Sequence, residues 1–194
     1  YFMNAKLIVI SAPSGGGKTT IVRKLQELHP GWQFSVSCTT RPKRDYEKAS
    51  DDYEFITAEE FSKRIENREL LEYEEVHGYM YGTARVVVDS ALQNGTVLIL
   101  EVDVNGALAI KKVYPDESAT VFIHPPSLDV LKNRLRKRGA DSEERIEERL
   151  KRAAMEIEKS PGFDIEVINS DIEQAVTEIS IKLEQMNGGP NRVN

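Results

Sequence analysis

The chain has 194 residues, one cysteine and a formal net charge of −6 at pH 7. This length suits one domain, or one domain with sizeable insertions. The lone Cys38 excludes a disulfide framework and a cysteine-based metal site, and it is typical of a reducing compartment, so we expect a cytoplasmic protein. The negative charge argues against a nucleic-acid partner, and no apolar run reaches the ~18 residues that a membrane span requires. We expect Tyr1 and Phe2, which precede Met3, to be a cloning remnant.

The first apolar run is followed by the segment Ala12-Pro13-Ser14-Gly15-Gly16-Gly17-Lys18-Thr19. The residues before it, Lys6–Ile10, predict a strand, and those after it, Thr19–Leu28, predict a helix. A strand, a glycine-rich turn, Gly-Lys-Thr and a helix form the context of a phosphate-binding loop. The one departure from the pattern is Ala12, which stands in the place of the first glycine. The sequence therefore predicts a nucleoside triphosphate site.

The residue types of this loop match the chemistry of a polyphosphate. Glycines adopt left-handed conformations without a Cβ clash, so successive backbone N–H groups can point at phosphate oxygens. The start of the following helix adds its own N–H groups and dipole. We expect Lys18 to reach the β- and γ-phosphates and the hydroxyl of Thr19 to be a ligand of Mg²⁺.

The rest of the chain alternates between strand and helix patterns. Such alternation predicts an α/β fold in which helices flank a parallel sheet. The further predicted strands are Phe34–Cys38, Thr96–Val102, Thr120–Ile123 and Ile165–Ile168, and the further predicted helices are Gly106–Val113 and Ile172–Met186.

Two stretches interrupt this alternation. Residues 39–83 carry short β-like pieces around one predicted helix, Ala58–Asn67. Residues 125–159 are helical and highly charged, and Asp141 with Glu144 three residues later resembles a capping box, which predicts a second helix there. We interpret both stretches as insertions that enclose substrates; solvated surface additions are the alternative.

Five further segments carry polar side chains in a recognisable order. Together with the phosphate loop they resemble guanylate kinases, the nucleoside monophosphate kinases specific for GMP, from about Lys6 to about Met186. The block Ser-x-Thr-Thr-Arg-x-x-Arg is the most specific of these motifs. The segments are Ser37-Cys38-Thr39-Thr40-Arg41-Pro42-Lys43-Arg44, Asp52-Tyr53-Glu54-Phe55, Glu69-Leu70-Leu71-Glu72-Tyr73, Gly78-Tyr79-Met80-Tyr81-Gly82-Thr83 and Leu100-Glu101-Val102-Asp103-Val104-Asn105-Gly106.

The resemblance implies a P-loop NTPase-type parallel sheet flanked by helices, with a mixed α/β insertion that binds a nucleoside monophosphate and a helical lid. The expected core comprises residues 3–38, 84–124 and 160–187. The GMP-binding insertion would be residues 39–83 and the lid residues 125–159. The implied small-molecule partners are GMP and ATP, and we expect no obligate protein partner.

The resemblance also implies a set of GMP-binding side chains. Planar guanidinium groups suit a phosphate dianion, so Arg41 and Arg44 would clamp the GMP phosphate, helped by tyrosine hydroxyls. The carboxylate of Glu72 would accept from both N1–H and the 2-amino group of guanine, a pair of donors that adenine lacks. Two hydroxyls would serve O6 and its neighbourhood, and Asp103 would assist at the amino group. The full set is Ser37, Arg41, Arg44, Tyr53, Glu72, Tyr81, Thr83 and Asp103.

On the ATP side, the resemblance implies that lid arginines close over the phosphates and that Asn169 contacts adenine. For the arginines, a solvated basic face paired with nearby glutamates is the alternative. Mg²⁺ would be held by Thr19, with Glu101 or Asp103 acting through water. The implied catalytic residues are Lys18, Arg41, Arg134, Arg138 and Arg149, and the implied ATP-binding residues are Ala12, Pro13, Ser14, Gly15, Gly16, Gly17, Lys18, Thr19, Thr20 and Asn169.

Three other functions compete with this interpretation. Asp103-Val104-Asn105-Gly106 satisfies the D-x-x-G pattern of a GTPase, although the sequence has no N-K-x-D or T-K-x-D motif to read guanine. A non-catalytic guanylate-kinase-like module would have a degenerate phosphate loop, whereas Gly17-Lys18-Thr19 is intact here. A related kinase for another small acceptor remains open, because spacing alone does not exclude it.

Overall fold

A computed structural model describes residues 5–43, 53–76, 78–139 and 141–188. In chain order its main elements are β1 (Leu7–Ser11), α1 (Lys18–Leu28), β2 (Gln33–Ser35), β3 (Cys38–Thr39), β4 (Glu54–Phe55), α2 (Ala58–Glu66), β5 (Leu70–Val76), β6 (Tyr79–Ala84), α3 (Arg85–Asn94), β7 (Leu98–Glu101), α4 (Val104–Val113), β8 (Ser118–His124), α5 (Leu128–Arg138), α6 (Glu143–Glu158), β9 (Ile165–Ile168) and α7 (Ile172–Gly188).

The larger sheet has the strand order β2-β7-β1-β8-β9, and every neighbouring pair is parallel. Successive side chains of a strand point to opposite faces, and both faces of β1 are buried. Ile8 and Ile10 pack with α1 and α7 on one face. Leu7 and Val9 pack with α3 and α4 on the other. The predicted fold class, a parallel sheet flanked by helices, is confirmed.

The smaller sheet has the order β4-β3-β6-β5 and mixed direction. It encloses a core of its own, in which Phe61 of α2 packs with Cys38 and Leu70. The prediction of one strand over Phe34–Cys38 is wrong, because the chain changes sheets within it. Residues of β2 pair with β7, whereas Cys38 pairs with Gly82 of β6.

The helices α5 and α6 form a hairpin with a separate apolar contact. Leu131 and Leu135 of α5 are buried against Ile146 and Ala153 of α6. Gly139, with a φ of +66°, ends α5 in the left-handed conformation that glycine adopts readily. The stretch is therefore helical, as the sequence predicts.

The predicted capping box at the start of α6 is wrong in its residue. The N-cap is Ser142, whose Oγ accepts from the backbone N–H of Arg145. Asp141 instead forms an ion pair with Arg149, with 3.1 Å between Oδ2 and Nη1. The Asp141 carboxylate therefore pairs with an arginine further along α6 instead of capping that helix.

Helix α3 is not predicted by its own sequence. The run Arg85-Val86-Val87-Val88 is β-branched, which lowers helix propensity, yet it forms the first turn of a helix that ends at Gly95. Val88 and Ala91 bury one face of α3 on the larger sheet, so tertiary packing overrides local preference here. In the described part of the chain, no helix is both long enough and apolar enough to cross a membrane.

Candidate active site

Polar residues collect at one edge of the larger sheet. The phosphate loop follows β1, Glu101 ends β7, and Asn169 follows β9. Because the strands are parallel, their carboxyl ends lie at the same edge, and this is where α/β proteins bind ligands. The candidate site therefore lies where the sheet leads into α1 and α4.

The phosphate loop has the backbone geometry that its glycines predict. Gly15 has a φ of +90° and Gly17 a φ of +93°. Gly16 N–H donates to the carbonyl of Pro13 at 2.8 Å, which closes the turn. No side chain caps the start of α1, so the N–H groups of its first turn are available to an anion. Ala12 is buried and fits where the pattern has its first glycine.

Asn169, which follows β9, holds this loop in place through its side chain. Its Nδ2 donates to the carbonyl of Gly16 at 2.8 Å, and the side chain is buried. A Cβ on Gly17 would lie 2.4 Å from that nitrogen, so only glycine fits there. The adenine contact expected of Asn169 remains a prediction, whereas its contact with the loop was missed because no sequence motif encodes it.

The helix α5 also packs on the loop. A Cβ on Gly15 would lie 3.0 Å from Leu131 and 3.2 Å from Leu135. Arg134, on the same helix, donates from Nη2 to the backbone carbonyl of Asn169 at 3.0 Å. The first lid helix is thus attached to the phosphate loop directly and through Asn169.

Lys18 and Thr19 are held at the end of β7. Lys18 Nζ donates to the carbonyl of Val102 at 2.9 Å, and Thr19 Oγ1 donates to Glu101 Oε1 at 2.8 Å. Hydroxyl and carboxylate oxygens are the donors that Mg²⁺ prefers. Among the described residues, no cluster of three or more His, Cys, Asp or Glu could hold a metal by itself. The donor set therefore fits a magnesium ion that takes other ligands from water and phosphate.

Glu72 lies at the opposite end of the site, on β5. Thr83 Oγ1 donates to Glu72 Oε1 at 2.6 Å. Burial raises the pKa of Glu72 to about 7, the Thr83 hydroxyl opposes this, and the charge of Asp103 adds to it. A Cβ on Gly106 would lie 2.5 Å from Glu72 Oε2, so the glycine allows the carboxylate to reach α4. Ser37 and Glu72 line the same cavity.

Asp103 is the N-cap of α4. Its two carboxylate oxygens accept from the backbone N–H groups of Asn105 and Gly106 at 3.1 and 3.0 Å. The D-x-x-G pattern thus closes on itself as a helix cap. An assisting contact of Asp103 with a guanine amino group remains a prediction.

The described residues that are expected to bind the GMP phosphate lie close together at the smaller sheet. Arg41 Nε donates to the hydroxyl of Tyr81 at 3.2 Å, and the Arg41 guanidinium lies 5.4 Å from the centre of the Tyr53 ring. Phe55, which the sequence analysis missed, supports the same guanidinium at 5.6 Å. Arg44 lies outside the described residues.

The lid arginines are distributed around the site. Arg149 and Arg152 of α6 line the cavity that contains the phosphate loop and Glu72. Arg134 faces a second cavity on the other side of the loop. The side chain of Arg138 lies outside the described part of the structure. Arg152 was missed, because it lies in a charged helix where sequence alone does not distinguish a cleft residue from a solvated one.

The two cavities meet at the phosphate loop, since Gly15 and Gly17 line both. One, of about 320 Å³, extends toward Glu72 and Tyr81. The other, of about 630 Å³, extends toward Asn169. Two separate cavities therefore open onto the same loop.

This parallel sheet flanked by helices, with its intact phosphate loop, defines a protein of the P-loop NTPase fold. The family model of guanylate kinase matches residues 4–186, and the chain belongs to this family. Curated guanylate kinases from Thermotoga maritima and Chlorobium luteolum are 46% and 43% identical to it, covering 90% and 92% of this chain and 84% and 90% of their own lengths. The crystal structure of guanylate kinase from Anaplasma phagocytophilum superposes with a TM-score of 0.80 at 32% identity, covering 96% of this chain and 88% of that one.

Gly17→Ala should disrupt the phosphate loop. The new Cβ would require a φ of +93° and would displace the Asn169 amide, so we expect the affinity for a nucleoside triphosphate to fall at least ~10-fold. Isothermal titration measures this affinity. The matched control is Gly31→Ala, where the new Cβ would meet nothing within 4 Å. Equal affinities of the two variants would contradict the described loop geometry.

Glu72→Gln should stabilise the ligand-free protein at alkaline pH. The folded-state pKa of about 7 lies above the ordinary 4.5, so Glu72 lowers stability progressively as the pH rises through this window. A glutamine retains an oxygen for Thr83 and removes the buried charge. We expect the variant to gain on the order of 2 kcal/mol over the unaltered protein at pH 8 and much less at pH 5.

Chemical denaturation at both pH values measures this difference. Glu75→Gln, an exposed glutamate on the same strand, is the control and should change little at either pH. The stability gained by Glu72→Gln over the unaltered protein should be larger at pH 8 than at pH 5. An equal gain at both pH values would contradict the assignment of a destabilising carboxylate.

Proposed function

We propose that this chain transfers the γ-phosphoryl group of ATP to GMP, giving ADP and GDP. The observation that carries the proposal is the pair of cavities that meet at one phosphate loop, with the partly buried carboxylate of Glu72 at the far end of one of them. ATP would approach from the side of Asn169, and GMP from the side of Glu72. The curated relatives are named guanylate kinase, and the similarity covers most of their lengths.

At the ATP end, the backbone N–H groups of the loop and of the first turn of α1 bind the phosphates. Lys18 exchanges its contact with the carbonyl of Val102 for the β- and γ-phosphate oxygens, which are stronger acceptors. Arg134 and Asn169 line the cavity where the nucleoside lies. Thr20, next to Thr19 in the first turn of α1, lies where the phosphates of ATP would reach the first cavity.

At the GMP end, Arg41, Tyr53 and Tyr81 bind the phosphate. The contact between Arg41 and Tyr81 already aligns the guanidinium before the ligand enters. Glu72 accepts from N1–H and the 2-amino group of guanine in its ionised form, while Thr83 holds one of its oxygens. AMP offers no such donors and leaves a buried carboxylate unpaired, which is costly.

The transfer requires no general base from the protein. An oxygen of the GMP phosphate, whose second pKa is about 6, is largely ionised at neutral pH. This oxygen forms a bond to the γ-phosphorus of ATP as the bond to the β–γ bridging oxygen breaks, and the electron pair leaves with ADP. Lys18, Arg41 and Arg149 align the two phosphates in line and compensate the charge on the transferred group.

Mg²⁺ is the expected metal of this site. Thr19 would be its protein ligand, with Glu101 holding a bound water, because these two oxygens lie together at the end of β7. When bound, the ion neutralises charge on the β- and γ-phosphate oxygens.

We also propose the division of the chain into a core (residues 3–38, 84–124 and 160–187), a GMP-binding insertion (39–83) and a lid (125–159). The separate apolar cores of the smaller sheet and of the α5–α6 hairpin support it. Cys38 is the exception to these bounds, because it pairs with Gly82 of the smaller sheet and therefore belongs with the insertion. We also propose a cytoplasmic location, which the single cysteine, free in the structure, supports.

Glu72→Gln tests the proposed acceptor directly. A glutamine presents an N–H group where guanine requires an acceptor, so kcat/KM for GMP should fall at least ~10²-fold while the affinity for ATP is unchanged. The ratio of kcat/KM for GMP to that for AMP should fall as well. An unchanged ratio would remove Glu72 as the residue that reads guanine.

Lys18→Ala is the matched variant at the other end of the site. It should reduce kcat for GMP by at least ~10²-fold, since it removes a charged donor to the transferred group, but leave the binding of GMP alone in place. The two variants together separate acceptor recognition from donor activation.

A further inference from the structure

One ion pair joins the lid to the smaller sheet across the mouth of the first cavity. Arg152 of α6 donates from Nη2 to Oε1 of Glu74 on β5, at 3.3 Å. Both side chains line the cavity, and both are about one quarter exposed. No motif in the sequence analysis included either residue.

Glu74 is positioned by the register of the smaller sheet. It lies two residues after Glu72, so both side chains point to the same face of β5. It also pairs with Tyr81 on β6, whose hydroxyl contacts Arg41. Glu74 therefore stands beside the place proposed for the acceptor phosphate, where an unneutralised carboxylate would repel the substrate.

The ion pair is supported on both sides. Arg152 Nε donates to Glu156 Oε1 at 2.8 Å, one turn further along α6. Asn105 of α4 donates from Nδ2 to Glu74 Oε1 at 3.3 Å. Its Oδ1 accepts from Lys159, which follows α6, at 2.6 Å. The core, the smaller sheet and the lid thus meet in one polar network.

The contact is incomplete in the described conformation. Glu74 Oε2 is buried and has no hydrogen-bond partner, and an unsatisfied buried carboxylate oxygen is costly. The contact through Oε1 is long and uses one prong of the guanidinium. A small approach of α6 to β5 would bring a second N–H group of Arg152 to Oε2 and produce a two-pronged pair, the geometry that guanidinium and carboxylate prefer.

We propose that Glu74 and Arg152 are a positioning pair that locks the lid onto the GMP-binding sheet and thereby places Arg149 over the phosphates. Arg152 and Arg149 are three residues apart on α6 and share a face. Asp141 holds the Arg149 guanidinium at 3.1 Å, so the position of α6 determines where that guanidinium lies. This inference rests on the proposed function, because it assigns the pair a part in the transfer to GMP.

A double-mutant cycle tests the coupling. Glu74→Gln and Arg152→Gln should each lower kcat/KM for GMP about 5-fold, a value between those of exposed and buried charged pairs. The double variant should be no worse than the poorer single variant, because both remove the same contact. The far-ultraviolet circular dichroism of the ligand-free variants should match that of the unaltered protein, so that a loss of kcat/KM reports lost positioning and not misfolding.

The sign of the Glu74→Gln effect separates this role from simple electrostatics. If Glu74 only repels the acceptor phosphate, its neutralisation should improve KM for GMP, and the two substitutions should be additive; that result would overturn the proposal. The matched control is Glu143→Gln, which breaks the ion pair between Arg136 and Glu143 inside the lid and should leave kcat/KM unchanged.

A distance measurement tests the lock without catalysis. Spin labels at Glu66→Cys on α2 and Lys151→Cys on α6 report the separation of the smaller sheet and the lid, since both positions are exposed and Cys38 is buried. Ligand-free protein carrying the Glu74→Gln and Arg152→Gln substitutions should show longer and broader distances than the parent. Identical distributions would contradict the lock. Absence of transfer to GMP by the unaltered protein would instead refute the proposed function, and the distances would still decide whether the lock exists.

Discussion

The site depends on how closely other parts of the fold approach the phosphate loop. Gly15 and Gly17 have left-handed backbones, and Leu131 and Asn169 occupy the space that a side chain at either position would need. This packing holds the loop amides in one orientation before a ligand arrives. Contacts of Leu131 and Leu135 with Gly15, and of Arg134 with Asn169, attach α5 to the loop.

The other end of the site shows a conflict between stability and recognition. In its proposed role as the residue that reads guanine, Glu72 has to be ionised, yet burial raises its pKa to about 7 and makes the charge unfavourable in the free protein. Thr83 offsets part of this by donating to one oxygen. A ligand that supplies two N–H groups satisfies the carboxylate, so the same burial that destabilises the empty site makes it selective.

Much of the fold was predictable from sequence, because glycine-rich turns and apolar periodicity are local signals. The parallel sheet and the phosphate loop follow from them. Signals that depend on distant partners were not predictable. The break within Phe34–Cys38 depends on which strand each half pairs with, the cap of α6 falls on Ser142 rather than Asp141, and α3 is helical despite its valines. The Asn169 brace joins residues 153 positions apart, which no local pattern records.

The central claim is that one loop serves two nucleotides and that the second is GMP. A coupled assay of ADP formation from ATP, with GMP, AMP, UMP or CMP as the acceptor and with no acceptor, tests it on the unaltered protein. The account predicts turnover with GMP at least ~10²-fold above that with any other acceptor, because only guanine pairs the Glu72 carboxylate. It also predicts little ATP hydrolysis without an acceptor. Similar rates with all four acceptors, or rapid hydrolysis in their absence, would contradict it.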